Sequence, residues 1–318
     1  MRTINISLLL LWYSISVMAA KYEVHVAKFK SDKACAISYT FDDGLAEHYT
    51  LVAPQLEKRG FRGTFVLNGS KINIDKDHIR DTTRLTWSQV KEMSDHGHEM
   101  TNHGWAHRNL AKFSPDEIAE DIYRNDGAIA AVTGIMPRTY AYPNNTKREP
   151  GLSIAMRNRV GTRTFQRSIG SKSSLKDLDS WVDKLIEKHD WGVGMTHGLT
   201  YGYDCFGNPQ RLWDHFDHVK AHEDSIWVGT FHDVAAYVKE RDSVRITVTA
   251  VKKQLLITPT LDLDQTIFTE NLTMVITGKN IKTITAVQDD KPLAVIIRKG
   301  KALFDFNPFG GIIRVEVK

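Results

Sequence analysis

In ISYTFDDG, residues 37–44, an apolar run of β-branched and aromatic side chains stops on two adjacent carboxylates and a glycine. Ile, Tyr, Thr and Phe suit a strand buried on both faces, whereas Asp is disfavoured in strands and neighbouring carboxylates repel. In parallel α/β sheets ligands gather where strands end, so acids placed there point to chemistry rather than packing. As strand neighbours, Asp42 and Asp43 should point in alternating directions, with Gly44 letting the chain turn beneath them.

Outward from this strand, β-branched runs alternate with amphipathic stretches, the pattern of βα units around a parallel sheet. Strands are read at CAISYTF, GTFVLN, HEMTN, RTYAYP, VGTRTF, GVGMTH and IWVGTF, with helical stretches such as EHYTLVAPQLEKRG and SPDEIAEDIYRNDGAIAAVTG between them. Ser114-Pro115 with Glu117 marks a helix start, and Gly60, Gly97 and Gly134 mark helix ends. About seven strands in this pattern predict an α/β fold, a distorted (β/α) barrel. After Arg241 the helical period gives way to short alternating runs, VRITVTAV, QLLITPTL and LTMVITG among them, which read as a small C-terminal β-sandwich domain over 241–318. It carries no cluster of Trp or Tyr and reads as a packing appendage rather than a sugar-binding module.

The chain has 318 residues, 42% hydrophobic and 25% charged, which supports folded domains with a sizeable core. Its net charge of +4 is carried by scattered Lys and Arg, which argues against nucleic acid as a partner. Residues 1–19 combine Arg2, an apolar run from Ile6 to Val17 and small residues, the pattern of a cleaved secretory signal. The catalytic domain is then expected over 20–240, in a secreted or periplasmic protein with no stable membrane span after cleavage. Two cysteines, Cys35 and Cys205, exclude a disulfide framework and leave open whether they pair.

Two further polar sites fall at strand ends. HEMTNHGWAH carries His103 and His107, and GVGMTH ends on His197. His-x3-His brings two imidazoles within reach of one ion if the segment is helical or tightly turned. A carboxylate would complete three protein ligands and leave one position open, the pattern of catalytic rather than structural zinc.

TFDDG at 40–44, NHGWAH at 102–107 and the later His197 resemble, in order, the motifs of the polysaccharide deacetylase family, the carbohydrate esterases related to chitooligosaccharide deacetylases. GTFVLN, GHE and IWVGTFHDVAAYVKER support the resemblance, which covers residues 34–240. It implies metal-dependent removal of N- or O-acetyl groups from an acetylated oligo- or polysaccharide. By motif position Asp43, His103 and His107 would hold a divalent metal, zinc being the favoured ion. Asp42 would be the general base for an ion-activated water, and His197 the general acid. Tyr142, Pro143 and Asn144 would line the substrate site, the Asn144 N–H serving as an oxyanion donor. Trp105 would either stack on a sugar or pack as a loop aromatic.

The departures are equally specific. Where the family carries Arg-x-Pro-aromatic, this chain reads Ala141-Tyr142-Pro143-Asn144, so the Arg that orients the base is missing from its position. Arg163, at the end of the next strand, could reach in, although its plainer reading is a solvated strand end. The family's Asp partner for the catalytic His has no clear match; Asp179 and Asp190 are near in sequence. Tyr201, Tyr203 and Phe206 follow His197 in GLTYGYDCFGNP and could rim a sugar groove. His215, His218, His222 and His232 read as mostly solvated helix residues, His232 being the one to compare with the metal site. Two other readings stay open: a C–N hydrolase acting on a non-sugar amide, and a glycan-binding protein without catalysis. Retention of all five core residues argues against the second.

Overall fold

The computed structural model describes residues 22–317 except 253, 279, 280 and 282; the signal read at residues 1–19 lies outside them. Strand β1 (Tyr22–Val26) belongs to a second unit described below. The parallel sheet is built around β2 (Cys35–Asp42), whose eight residues are all buried, as a strand covered on both faces requires. β3 (Thr64–Leu67) pairs with Thr40–Asp42 of this strand. β4 (Glu99–Asn102), β5 (Thr139–Ala141) and β6 (Gly161–Arg163) continue the sheet on that side. β7 (Arg167–Ser168) lies beyond β8 (Trp191–Thr196), which runs along Ala36–Phe41. β9 (Ile226–Val228) pairs with Cys35–Ile37. The order is therefore β6-β5-β4-β3-β2-β8-β7 with β9 on β2, every pairing parallel: a curled sheet of the distorted-barrel kind. The seven strands read from the sequence are present, joined by the two-residue β7.

Ile37, Tyr39 and Phe41 of β2 are fully buried in one cluster with Val52, Leu56, Phe65, Val90, Leu178, Val182 and Phe216. Each such side chain contributes about 1.5–3 kcal/mol on burial, so packing fixes the strand and leaves its carboxyl end free to carry charge. Helix ends follow their punctuation. Ser114 and Glu117 form a capping box at the start of Pro115–Thr133, and Gly134 closes that helix at φ +76°. The stretch after the Asp pair is not a plain α-helix: it opens as a π-helix, His48–Val52, before Ala53–Glu57. Pro54 has no N–H, so the i→i−4 ladder cannot pass through it.

Residues 34–235 form one unit, and residues 22–33 fold with 236–317 as another. The second contains β10 (Arg245–Val251), β11 (Gln254–Thr260), β12 (Leu272–Gly278), β13 (Ile284–Gln288), β14 (Lys291–Leu293), β15 (Ile296–Arg298), β16 (Lys301–Phe306) and β17 (Ile313–Val317). They make two antiparallel sheets, β1-β12-β16-β15 and β10-β11-β17-β13-β14. β1 pairs with β12 from Tyr22↔Gly278 to Val26↔Met274, so residues 22–33 leave the catalytic domain in which the sequence had placed them. Among the described residues no helix is long and apolar enough to cross a membrane. Cys35 and Cys205 are both free thiols; burial pushes that of Cys35 up to about 12.

Candidate active site and metal centre

β2, β4 and β8 end at one cleft of about 830 Å³, and Asp42, Asp43, His103, His107 and His197 all line it. Asp42 is the last residue of β2, but Asp43 has left the strand, with φ +79°. This replaces the strand alternation expected from sequence: a left-handed residue brings the second carboxylate into the same cavity as the first. The turn is held by the Asp43 N–H donating to Val66 O at 2.9 Å and by Arg84 Nη1 donating to the Asp43 carbonyl at 2.5 Å. Gly44 follows at φ +61°, and a Cβ there would stand 2.6 Å from Ile72 Cδ1, so a side chain would be strained and would have to displace Ile72.

His103 and His107 meet through a tight turn rather than a helix. Gly104 (φ +74°) and His107 (φ +54°) are both left-handed, and the intervening backbone is tied to Asp121, whose Oδ1 accepts from the Ala106 N–H at 2.9 Å. The rings sit 4.8 Å apart. His103 Nδ1 lies 2.8 Å from the Ala141 carbonyl, to which it must donate, and this leaves the Nε2 lone pair facing Asp43 Oδ1 at 3.8 Å. His107 Nε2 is 3.7 Å from the same oxygen. Asp43 Oδ1 is itself buried and has no hydrogen-bond partner. The ligand atoms of the three residues lie within 4.8 Å of one another. An orphaned carboxylate oxygen facing two imidazole nitrogens, one fixed in its ligating tautomer, fits a divalent ion of the zinc type.

Asp42 is held differently. Arg163 donates to it as a fork, Nη1 to Oδ1 at 2.7 Å and Nη2 to Oδ2 at 2.5 Å, and Nη1 also donates to Thr40 Oγ1 at 2.7 Å. Both side chains are only 3–4% exposed. Burial alone would raise the Asp42 acid, but the guanidinium, helped by His103 and His197, outweighs it and holds the carboxyl down at about 2. Arg163 is therefore a buried ion-pair partner and not a solvated strand end. Strand register explains it: Ala141 of β5 is paired with Arg163 of β6, so the guanidinium stands one strand over, at the level where the missing Arg would be.

His197 is shaped by residues that sequence reasoning missed. His48 Nε2 donates to the His197 carbonyl at 2.6 Å, and burial pushes the His48 imidazole down to about 4, which keeps it neutral. Glu47, also buried, accepts from the Thr200 N–H at 3.1 Å, from Thr200 Oγ1 at 2.9 Å and from the Leu199 N–H. The signal was adjacency: both follow the DDG turn within four residues. His197 Nδ1 is buried without a partner. Neither carboxylate near in sequence reaches it, because Asp179 bonds His215 Nδ1 at 3.2 Å and Asp190 accepts from the Trp191 N–H at 2.8 Å.

A family model for polysaccharide deacetylase matches residues 30–159. Over these residues the chain is similar to the polysaccharide deacetylase family. A peptidoglycan-N-acetylmuramic acid deacetylase of Bacillus subtilis is 30% identical over 180 residues, 54% of this chain and 55% of that protein. A peptidoglycan-N-acetylglucosamine deacetylase of Listeria monocytogenes is 30% identical over 119 residues, 37% of this chain and 23% of that one. The chain thus spans roughly a quarter to a half of these curated relatives. In structure, a Mycobacterium smegmatis protein solved as a candidate polysaccharide deacetylase superposes with a TM-score of 0.51 at 15% identity, over 72% of this chain and 98% of that one, and shares the fold.

Of the deacetylase substrate positions read from sequence, Tyr142 and Asn144 line the cleft, Tyr142 anchored by its hydroxyl to Thr162 Oγ1 at 2.9 Å. Pro143 is buried beneath them and opens the 3₁₀ turn Pro143–Asn145. The Asn145 and Thr146 N–H groups close that turn on the Tyr142 and Pro143 carbonyls, a pairing that leaves the Asn144 N–H out. Trp105 does not line the cleft: it packs over Gly69, where a Cβ would meet its ring at 2.5 Å, and Arg124 covers it at 4.2 Å. His215 is fully buried between Tyr39 OH, at 2.9 Å, and Asp179, instead of being solvated. The His232 N–H bonds Glu99, the first residue of β4, at the opposite end of that strand from the metal candidates.

Proposed function

We propose that this chain is an exported, metal-dependent carbohydrate deacetylase that hydrolyses N- or O-acetyl groups of a glycan, with Asp43, His103 and His107 as metal ligands, Asp42 as base and His197 as acid. The observation that carries the reading is the division between the two carboxylates at the end of β2. Asp43 turns an unsatisfied oxygen to two imidazoles, while Asp42, one residue earlier, accepts one arm of the Arg163 fork at each oxygen, keeps a lone pair on each, and stands outside that group with Oδ2 4.0 Å from His103 Nε2. A binding protein would need no such separation.

When bound, a divalent ion, zinc in this reading, supplies Lewis acidity that acidifies water and polarises the acetyl carbonyl. Asp42, ionised at neutral pH, takes the proton of the attacking water at an oxygen held in place by Arg163. The Asn144 N–H, free of the turn hydrogen bonds, donates to the developing oxyanion. His197 gives a proton to the departing nitrogen or oxygen of the sugar, and the acetyl group leaves as acetate. The signal-like pattern read at residues 1–19 supports a periplasmic or secreted setting and a polymeric or oligomeric substrate. Peptidoglycan comes first among candidate glycans because two relatives are named for it.

The test is acetate release from peptidoglycan, chitooligosaccharides and acetylated xylan, with and without chelator, by the wild type and Asp42→Asn. Release that chelator abolishes, that added Zn²⁺ restores and that Asp42→Asn lacks supports the reading. With an N-acetylated amine that carries no sugar added to the panel, release only from that amide would establish the amidohydrolase alternative, and release indifferent to chelator would remove the metal from the mechanism.

A further inference from the structure

The loop after His197, GLTYGYDCFG (198–207), is pinned along its length. Glu47 holds Leu199 and Thr200, the Tyr201 hydroxyl donates to the Thr83 carbonyl at 3.0 Å, and Phe206 is buried. The Asp204 carboxylate accepts from the Ser171 N–H at 3.0 Å, from Ser171 Oγ at 2.6 Å and from Ser168 Oγ. Gly202, at φ +92°, and Asp204, at φ +52°, bend the chain between these anchors. The one aromatic residue of the loop left without such an anchor is Tyr203. It is 77% exposed, it lines the cleft, and its ring stands edge-on to His197 at a centroid distance of 5.2 Å.

The sequence left Tyr201, Tyr203 and Phe206 equivalent as rim residues; the structure separates them. Tyr201 and Phe206 hold the loop, and Tyr203 is presented by it. On a fixed backbone only the two side-chain torsions of a tyrosine remain to be ordered when a ligand covers it, and its apolar face gains from that cover.

The direction of the chemistry identifies the ligand. In hydrolysis the acetyl C–N or C–O bond breaks, water supplies the oxygen of the acetate, and the His197 proton passes to the nitrogen or oxygen that stays on the sugar. The pyranose bearing that atom must therefore lie against His197, where Tyr203 stands. We infer that Tyr203 is a stacking platform for the acetylated pyranose itself, so that the site selects a sugar ring over a small acyl compound. The inference rests on the deacetylase reading above.

The experiment compares the wild type, Tyr203→Ala and Tyr203→Phe on the glycan that the wild type deacetylates best and on triacetin, a small ester with neither a sugar nor an aromatic ring. Tyr203→Ala is expected to raise KM for the glycan about tenfold while leaving kcat/KM for triacetin within about twofold of the wild type, and Tyr203→Phe to keep the glycan KM within about twofold. An unchanged glycan KM in Tyr203→Ala overturns the platform and leaves the deacetylase reading intact. Equal losses on both substrates overturn it too, by showing that Tyr203 acts through His197. A wild type that hydrolyses triacetin but no glycan overturns the deacetylase reading and the platform together.

Discussion

Replacing Arg163 with Met keeps most of the side-chain volume but removes both arms of the fork, bonds of 2.7 and 2.5 Å, and the 2.7 Å bond to Thr40 Oγ1. Asp42 then stays in a site where it is 3% exposed, without a counter-charge. Breaking a buried ion pair from one side costs about 3–5 kcal/mol. At about 2–4 °C per kcal/mol for a domain of this size, the midpoint of thermal unfolding should fall by about 10 °C. Linkage gives a second estimate. With the Asp42 acid held at about 2 against an ordinary 3.8, the folded state gains about 2 kcal/mol at neutral pH. Because the folded value is depressed, that gain is complete above about pH 4 and is lost as the pH falls through 2. The assay is urea unfolding of the wild type, Arg163→Met, Asp42→Asn and the double variant at neutral pH. The double variant should lose less than the sum of the singles by about 2–3 kcal/mol, since neither buried charge is then stranded. Additive losses, or a loss below about 1 kcal/mol in Arg163→Met, would refute the coupling. Arg163→Lys keeps the charge but not the fork, and should retain only part of the acetate release.

Glu47→Ala strands the buried N–H of Leu199 and frees the more exposed N–H of Thr200, and should cost about 1–3 kcal/mol, with kcat falling and KM nearly unchanged because the backbone beside His197 loosens; steady-state kinetics beside Glu47→Gln, which keeps an acceptor, checks this. Burial pushes His98 and His215 down to about 4, opposed by Glu57 and by Asp179 respectively. The unfolded chain therefore takes up these protons first, and stability, full above about pH 6.5, should fall towards pH 4 by up to about 1.4 kcal/mol per pH unit for each histidine. Unfolding midpoints between pH 4.5 and 7 should show that slope, and His98→Asn, whose Oδ1 can still accept from the Gly63 N–H, should reduce it; an unreduced slope refutes the assignment. Tyr39→Phe removes the hydroxyl 2.9 Å from His215 Nε2 and should cost about 1–3 kcal/mol in urea unfolding, the price of an unsatisfied buried acceptor.

Most of the site was legible because its residues interrupt apolar runs where strands end, a signal carried along one dimension of the chain. Asp42, His103 and His197 were found that way and line one cleft. What the sequence does not carry is the lateral dimension. That Ala141 and Arg163 lie level depends on how β5 and β6 align, and no local pattern encodes that register. The same holds for β1, whose partner β12 is more than two hundred residues away, and for His215, whose hydrogen bonds to Tyr39 and Asp179 cross from its helix to a strand and to another helix. Trp105 was left open for a different reason. An aromatic residue between two metal-ligand candidates reads equally as a sugar platform or as loop packing, and it is the glycine at position 69 that decides, by opening a slot that takes the ring.

The level pairing of Ala141 with Arg163 also bears on how the site comes into being. The segment that carries the family match ends at residue 159, four residues before the guanidinium that neutralises Asp42 and well before His197. A chain emerging from the ribosome would thus present Asp42, Asp43, His103 and His107 while the Asp42 carboxylate still lacked its counter-ion. Only when β6 docks beside β5 is the Asp42 carboxylate held, so in this protein the charge balance of the first motif is completed by a later part of the chain.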